Sequence, residues 1–197
     1  MKKPRNNASV KGKTSPTAGT ARRCPPPVIV LHIDDDRNDT ELFRAAARKA
    51  NVQFSIYNVA DGDQAMAYLN GRGVYADRQR YPLPVLILLD LKMPRATGFE
   101  VLSWIRNHSQ VGNLPVVVFS GSELKDDIQQ AYAVGADSYM VKPLGFTELV
   151  NLVKTLNTDW ITRGVRQLSS LAGSGTYRVW QDSSAWPDES SGDKAQP

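Results

Sequence analysis

Four short apolar runs in this chain each stop at a chemically active residue, and that repetition restricts the fold more than any other feature. Ile29 to Ile33 ends at Asp34-Asp35, Val85 to Leu89 at Asp90, Val116 to Phe119 at Ser120, and Ser138 to Val141 at Lys142-Pro143. Short runs rich in Val, Ile and Leu, separated by helical patterns, have the signature of parallel strands buried on both faces. In such a sheet every carboxyl end opens on the same edge, where open α/β sheets hold their ligands. Three carboxylates, a hydroxyl and an ammonium are therefore expected in one crevice.

The intervening segments fit the crossover helices that parallel strands require. Asn38 or Asp39 can cap a helix in which Leu42, Phe43, Ala46, Ala47 and Ala50 recur at helical spacing. Val52 to Val59 reads as a further strand, and Asp61-Gly62-Asp63 turns into a helix with Ala65, Met66 and Leu69 that ends at residues 70–73. The polar loop from Val74 to Pro84 is long for this kind of connection. Gly98 precedes a helix with Phe99, Leu102, Trp104 and Ile105 inward. Asp126 and Asp127 open another, with Ile128, Ala131 and Val134 on one face and Gly135 as its stop. The last runs from Phe146 to about Trp160, with Leu149, Val153 and Leu156 in register. Five strands alternating with five helices predict a doubly wound, five-stranded parallel α/β sandwich.

Charge divides the chain into three parts. Residues 1–27 carry seven Lys or Arg and no acid, residues 28–160 carry 13 basic and 16 acidic side chains, and residues 161–197 carry four of each. The net charge of +4 thus comes from the leader, and the central domain is mildly acidic. The leader (1–27) and most of the tail (161–197) have too few apolar residues to offset ordering entropy and are expected to be disordered. One cysteine, Cys24, excludes an intrachain disulfide and suits a reducing cytoplasm. No segment is long and apolar enough for a membrane helix. Polar residues follow the basic start where a signal peptide would be apolar, and Pro4 with Pro25 to Pro27 opposes a transit-peptide helix.

Asp34, Asp35 and Asp90 together suit a hard dication such as Mg²⁺, which takes oxygen ligands and leaves positions for water and phosphate oxygens. Without a cation, three adjacent carboxylates repel by about 4 kcal/mol per close pair at an effective dielectric near 20. Metal would make Asp90 a tolerable phosphoryl acceptor. Lys142 can neutralise one phosphoryl oxygen and the Ser120 hydroxyl can bond another, which is the positioning and electrostatics that phosphoryl transfer needs.

Residues 28–160 resemble the receiver domain of two-component response regulators. The matching motifs are Val-Leu-His-Ile-Asp-Asp (30–35), Leu-Leu-Asp-Leu-Lys-Met-Pro (88–94) with Gly98, Phe-Ser-Gly (119–121), and Gly-Ala-Asp-Ser-Tyr-Met-Val-Lys-Pro (135–143). The resemblance implies flavodoxin-like strand order 2-1-3-4-5, Asp90 as the phosphorylated residue, and metal held by Asp34, Asp35, Asp90 and the backbone carbonyl of Lys92. It implies that Ser120 and Lys142 read the phosphate, that Ser120 and Tyr139 form the switch, and that Lys142-Pro143 is a cis junction. Asp36 makes the acidic pair ambiguous by one residue; Asp34-Asp35 directly follows the apolar run.

The expected function is a single-domain response regulator that takes a phosphoryl group from a sensor histidine kinase or phosphotransfer protein and signals to a downstream protein target. The long loop and the run to Trp160 are most similar to stand-alone receivers paired with phytochrome-type kinases. An extended last helix permits a homodimer. Mg²⁺-dependent self-phosphorylation and self-dephosphorylation are implied, with Lys92 and Ser122 beside the site setting the latter's rate. Lys92, two residues after Asp90, cannot act as the carboxylic acid that a phosphate-ester hydrolase needs there. The alternative is a regulator that grips nucleic acid through the basic leader, with steep salt dependence; the tail carries no segment of helix-turn-helix size, which disfavours it. His32 is expected to be a satisfied core or edge histidine, His108 to face solvent, and Trp160 to pack in the core.

Overall fold

The structure, a computed structural model, describes residues 28–52, 54–94, 96–162 and 179–180. The elements run β1 (Ile29–Ile33), α1 (Arg37–Ala50), β2 (Ser55–Val59), α2 (Gly62–Asn70), β3 (Leu86–Leu89), α3 (Gly98–Asn107), β4 (Val116–Ser120), α4 (Lys125–Val134), β5 (Ser138–Val141) and α5 (Phe146–Leu156). These strands pair in parallel in the order β2-β1-β3-β4-β5, as the resemblance implies. A two-residue strand, β6 (Val179–Trp180), adds antiparallel to the outer edge of β5, within the segment expected to be mostly disordered. The leader, Cys24 and Trp186 lie outside the described residues.

Because successive side chains of a strand point to opposite faces, the sheet builds two cores. Leu31, Ile33, Ile87, Leu89, Val116 and Val118 pack in one with residues of α2, α3 and α4. Val30, Leu86, Leu88, Val117, Phe119 and Met140 pack in the other with Phe43, Ala46 and Ala47 of α1 and Leu149, Leu152, Val153 and Leu156 of α5. Both faces are thus covered and the strand ends alone are left to do chemistry.

Several boundaries differ from the sequence reading, each for a local reason. Asp36, rather than Asn38 or Asp39, caps α1, its carboxylate accepting from Asn38 N and Asp39 N. Strand β2 begins at Ser55 and not Val52, because Val52 N still bonds Ala47 O at the exit of α1. Leu42 is 48% exposed although it shares the helical spacing of Phe43 and Ala46. In α3, Val101 joins Leu102 and Ile105 in the core while Phe99 and Trp104 are only half-buried. Helix α5 stops at Leu156 and gives way to a π-helical turn, Asn157–Thr162, which carries Trp160 into the second core as a buried residue. His108, which is half-buried rather than open to solvent, stacks on Trp104 at 4.6 Å between ring centroids.

Two arginines hold loops that lead from the helices into the strands. Arg78 lies in the long connection after α2 and donates to the carbonyls of Tyr68 (2.8 Å), Leu69 (2.7 Å) and Tyr81 (3.2 Å). It thereby satisfies orphan carbonyls at the end of α2, and in the same region Tyr57, Tyr68, Tyr75 and Tyr81 pack on one another edge to face or tilted. Arg106 ties α3 to the loops on either side of β4 and α4. It donates to the carbonyls of Gly135 (2.6 Å), Gly112 (2.9 Å) and Leu114 (2.8 Å) and to Asp137 Oδ2 (2.7 Å), which also accepts from Val116 N.

Replacing Arg106 by Ala should lower unfolding free energy by about 3 kcal/mol, since charge-assisted hydrogen bonds contribute about 1.5–3 kcal/mol each and are not additive. Arg106→Lys should recover little, because one ammonium cannot span the same fork of acceptors. Urea denaturation of the three proteins checks this, and equal midpoints would contradict the role given to Arg106.

Candidate functional site

The sheet ladders run one residue past each strand and so set the site residues in place. Asp34 N bonds Val59 O at 3.0 Å, Asp90 N bonds Ile33 O at 2.9 Å, and Lys142 N bonds Ser120 O at 2.8 Å. Asp34 and Asp90 are buried, and Asp35 is the more exposed of the three acids. One ligand oxygen from each of Asp34, Asp35 and Asp90 lies within 4.8 Å of the others. Asp36 points elsewhere, onto the amides of α1, and is not among the three acids that face one another.

Asp90 is held at both oxygens. Oδ1 accepts from Ser120 Oγ at 2.8 Å and from the Lys92 amide at 3.2 Å, while Oδ2 accepts from Lys142 Nζ at 2.9 Å. The loop that follows Asp90 is pressed against the start of α3: a Cβ at Gly98 would lie 2.6 Å from Leu91 Cα and closer still to the Asp90 carbonyl oxygen. Glycine is required there because backbone cannot give way. Thr97 and Glu100 then close a capping box on α3.

Lys142 is the hub of the cluster. Its ammonium also donates to Asp34 Oδ2 and to Asp39 Oδ2, both at 2.8 Å. Burial disfavours charge on Lys142, yet the bonds from Asp34 and Asp39 and the charge of Asp90 outweigh it and raise its pKa above the ordinary value. Burial likewise opposes charge on Asp34, but His32 and Lys142 overcome it and hold its pKa at about 2. Of these two, Lys142 has the better hydrogen-bond geometry. His32 Nε2 stands 3.3 Å from Asp34 Oδ2, yet neither ring nitrogen of this fully buried histidine has a hydrogen-bond partner among the described residues. The expectation of a satisfied core histidine therefore fails, because Phe43 and Phe119 flank the ring at 5.0 and 6.1 Å.

Tyr139, expected as a switch residue, is fully buried, with its hydroxyl donating to Ser122 O at 2.9 Å. Ser122 Oγ in turn bonds Asp127 on α4. Desolvation, followed by the nearby charge of Asp127, pushes the Tyr139 phenol up to about 12. The expected cis junction is not found: the described residues contain no cis peptide bond. Lys142 is aimed into the site from the end of the β5 ladder, where its amide bonds Ser120 O. Every side chain expected at the site, namely Asp34, Asp35, Asp90, Ser120 and Lys142, converges here. Lys92 donates its backbone N–H to Asp90 Oδ1. Asp39 and His32 join them unannounced: the sequence marks Asp39 only as a possible helix cap, and its partner Lys142 is over 100 residues away in the chain.

Comparison with known proteins agrees with this geometry. The model of the response regulator receiver domain matches residues 30–154. The response regulator Rcp1 of Synechocystis is 30% identical over 136 residues, covering 69% of this chain and 90% of Rcp1; its Mn²⁺-bound crystal structure superposes with a TM-score of 0.61. The response regulator RPA3017, of red light signalling in R. palustris, is 33% identical with a TM-score of 0.65, covering 68% of this chain and 94% of the other. The phosphorylated cyanobacterial phytochrome response regulator RcpA is 33% identical with a TM-score of 0.64, over 70% of this chain and 96% of its own.

Because the Tyr139 phenol has its pKa raised on folding, its contribution to stability is complete below pH 10.0 and is lost as pH rises toward about 12. The difference in unfolding free energy between the wild type and Tyr139→Phe should therefore be flat up to about pH 10 and then shrink. A difference that stays constant across that range, measured by denaturant titration, would place the hydroxyl in solvent.

Proposed function

Because the chain belongs to the response regulator receiver domain family, we propose that it works as a phosphorylation-operated signalling protein whose acceptor is Asp90. The observation that carries this reading is the convergence of Ser120 Oγ and Lys142 Nζ, from β4 and β5, on the two oxygens of Asp90 beside Asp34 and Asp35. The donor set fits a divalent ion: the oxygens are all from carboxylates, they face one another, and a positive ammonium already lies among them. Asp34, Asp35 and Asp90, with the Lys92 carbonyl, would hold Mg²⁺. When bound, such an ion neutralises charge on the phosphoryl oxygens.

A carboxylate oxygen of Asp90 forms a bond to phosphorus as the bond from phosphorus to the donor breaks. Where the donor is a phosphohistidine protonated on its other ring nitrogen, the electron pair of the broken bond stays on the nitrogen that held phosphorus and neutral imidazole leaves. Lys142 then follows its partner, exchanging an Asp90 oxygen for a phosphoryl oxygen, and Ser120 turns its hydroxyl to another. The phosphoryl group is dianionic, so both donors gain in charge-assisted bonding what they lose from the carboxylate. Release of Ser120 loosens the loop that holds Ser122 and hence Tyr139, so the face made by α4, β5 and α5 reads out the charge at Asp90 as a population shift.

The donor is proposed to be a sensor histidine kinase of phytochrome type or a phosphotransfer protein, supported by the likeness to RPA3017 and RcpA. Leu42, Leu144 and Phe146 form exposed apolar surface around the mouth of the site, with Leu144 fully open, and suit the apolar part of such a partner. A downstream protein would bind the α4-β5-α5 face, and a homodimer could use the same face. Lys92 and Ser122 are the residues proposed to set the lifetime of the acyl phosphate. No helix among the described residues is long and apolar enough to cross a membrane, and the protein is proposed to act in the cytoplasm.

Incubation with a small phosphodonor and Mg²⁺ should load about one acid-labile phosphate per chain, and Asp90→Asn should abolish it. Ser120→Ala should load more slowly, by about a hundredfold or more, as loss of one transition-state donor implies. Phosphate uptake that survives Asp90→Asn, or no uptake by the wild type, would overturn the assignment.

A further inference from the structure

An ammonium has three N–H donors, and all three of Lys142 are engaged. They go to Asp34 Oδ2 (2.8 Å), Asp39 Oδ2 (2.8 Å) and Asp90 Oδ2 (2.9 Å). Two of these acceptors belong to the cradle read above as a divalent-ion site, and an oxygen that faces a dication is a poor place to keep a second cation. Lys142 therefore has to slacken its hold on Asp34 or Asp90 whenever that cradle is filled. Asp39 is the acceptor that the cradle does not use. It projects from the first turn of α1 at the mouth of the site, with its side chain 37% exposed against 0% for Asp34 and 9% for Asp90.

Asp39 is not needed as the cap of α1, because Asp36 already accepts from the first free amides of that helix. The pocket around the ammonium is otherwise lined by Leu42, Phe119, Pro143 and Leu149, and Lys142 Nζ lies 5.8 Å from the centre of the Phe119 ring. With Asp39 neutral, the two carboxylates that remain bonded to Lys142 would both be members of the cradle. We propose that Asp39 is a positioning residue that draws the Lys142 ammonium toward the mouth of the site and so lowers the positive charge met by a divalent ion at Asp34 and Asp90. The inference rests on reading Asp34, Asp35 and Asp90 as that cradle.

Calorimetric titration of the full chain with Mg²⁺ and with Mn²⁺, without phosphodonor and at fixed ionic strength, tests this. Asp39→Asn should weaken binding of either ion by about tenfold, the lower end of what loss of a group supporting metal ligands causes. Lys142→Met should tighten binding, and in that background Asp39→Asn should change Kd by less than about twofold, because its route of action is gone. Asp39→Glu, which keeps the charge, should recover most of the affinity. Thermal unfolding in chelator separates folding from binding, and Asp39→Ser replaces Asp39→Asn should the latter not fold. A Kd for Asp39→Asn within about twofold of wild type, or an equal loss with and without Lys142, would overturn the inference. If the wild type loads phosphate on Asp90 while Asp39→Asn binds metal normally, this inference alone falls; if the wild type binds no divalent ion, the cradle reading falls with it.

Discussion

The site depends on one charge interaction: the Lys142 ammonium set among Asp34, Asp39 and Asp90. Four carboxylates, counting Asp35, gather at the ends of two neighbouring strands and the start of α1, and their mutual repulsion would open the strand ends if nothing answered it. The lysine answers it from two strands away, with three bonds of 2.8 to 2.9 Å. A divalent ion was expected to be the cation that holds the acids together, and the ammonium already performs part of that task. It does so in a way that couples β1, β3, β5 and α1 through a single group, so that a change of charge at Asp90 is felt at once on β5.

From β5 the connection to the rest of the molecule is short. Tyr139 precedes Lys142 by three residues, lies on the face of the first core, and holds the carbonyl of Ser122, whose hydroxyl bonds Asp127 on α4. Ser120, which bonds Asp90, is two residues from Ser122. The phosphoacceptor proposed here is thus linked to the α4-β5-α5 face by adjacent hydrogen bonds rather than by a distant relay. Strand β6 adds antiparallel to β5 in register with Tyr139 and Met140, so the tail meets the sheet at the same element.

Rigid loops make this coupling sharp. Arg78 and Arg106 each tie off backbone carbonyls that the helix-to-strand turns would otherwise leave bare, and Gly98 lets the β3-α3 loop lie against the start of α3. At the other edge of the sheet, the close approach at Gly98 and the bonds from Ser120 and the Lys92 amide fix where the Asp90 carboxylate stands, which is what a site built on electrostatics requires.

The fold class, the order of elements and five of the converging side chains were legible in the sequence, because burial on both faces of a parallel sheet leaves an apolar run that ends where the strand ends. Local chemistry also marked Gly71 and Gly135 as helix stops, and both have positive φ. What the sequence could not decide were contacts between distant segments. Whether Asp36, Asn38 or Asp39 capped α1 depended on which acid was free, and Lys142 claims Asp39 from over 100 residues away. The place of His32 beside Asp34, the roles of Arg78 and Arg106, and the pairing of Trp180 beside Tyr139 have no periodic trace either. Periodicity records which face of an element is buried, whereas the partner of a polar group is chosen only when the folded sheet brings two remote strand ends within hydrogen-bond reach.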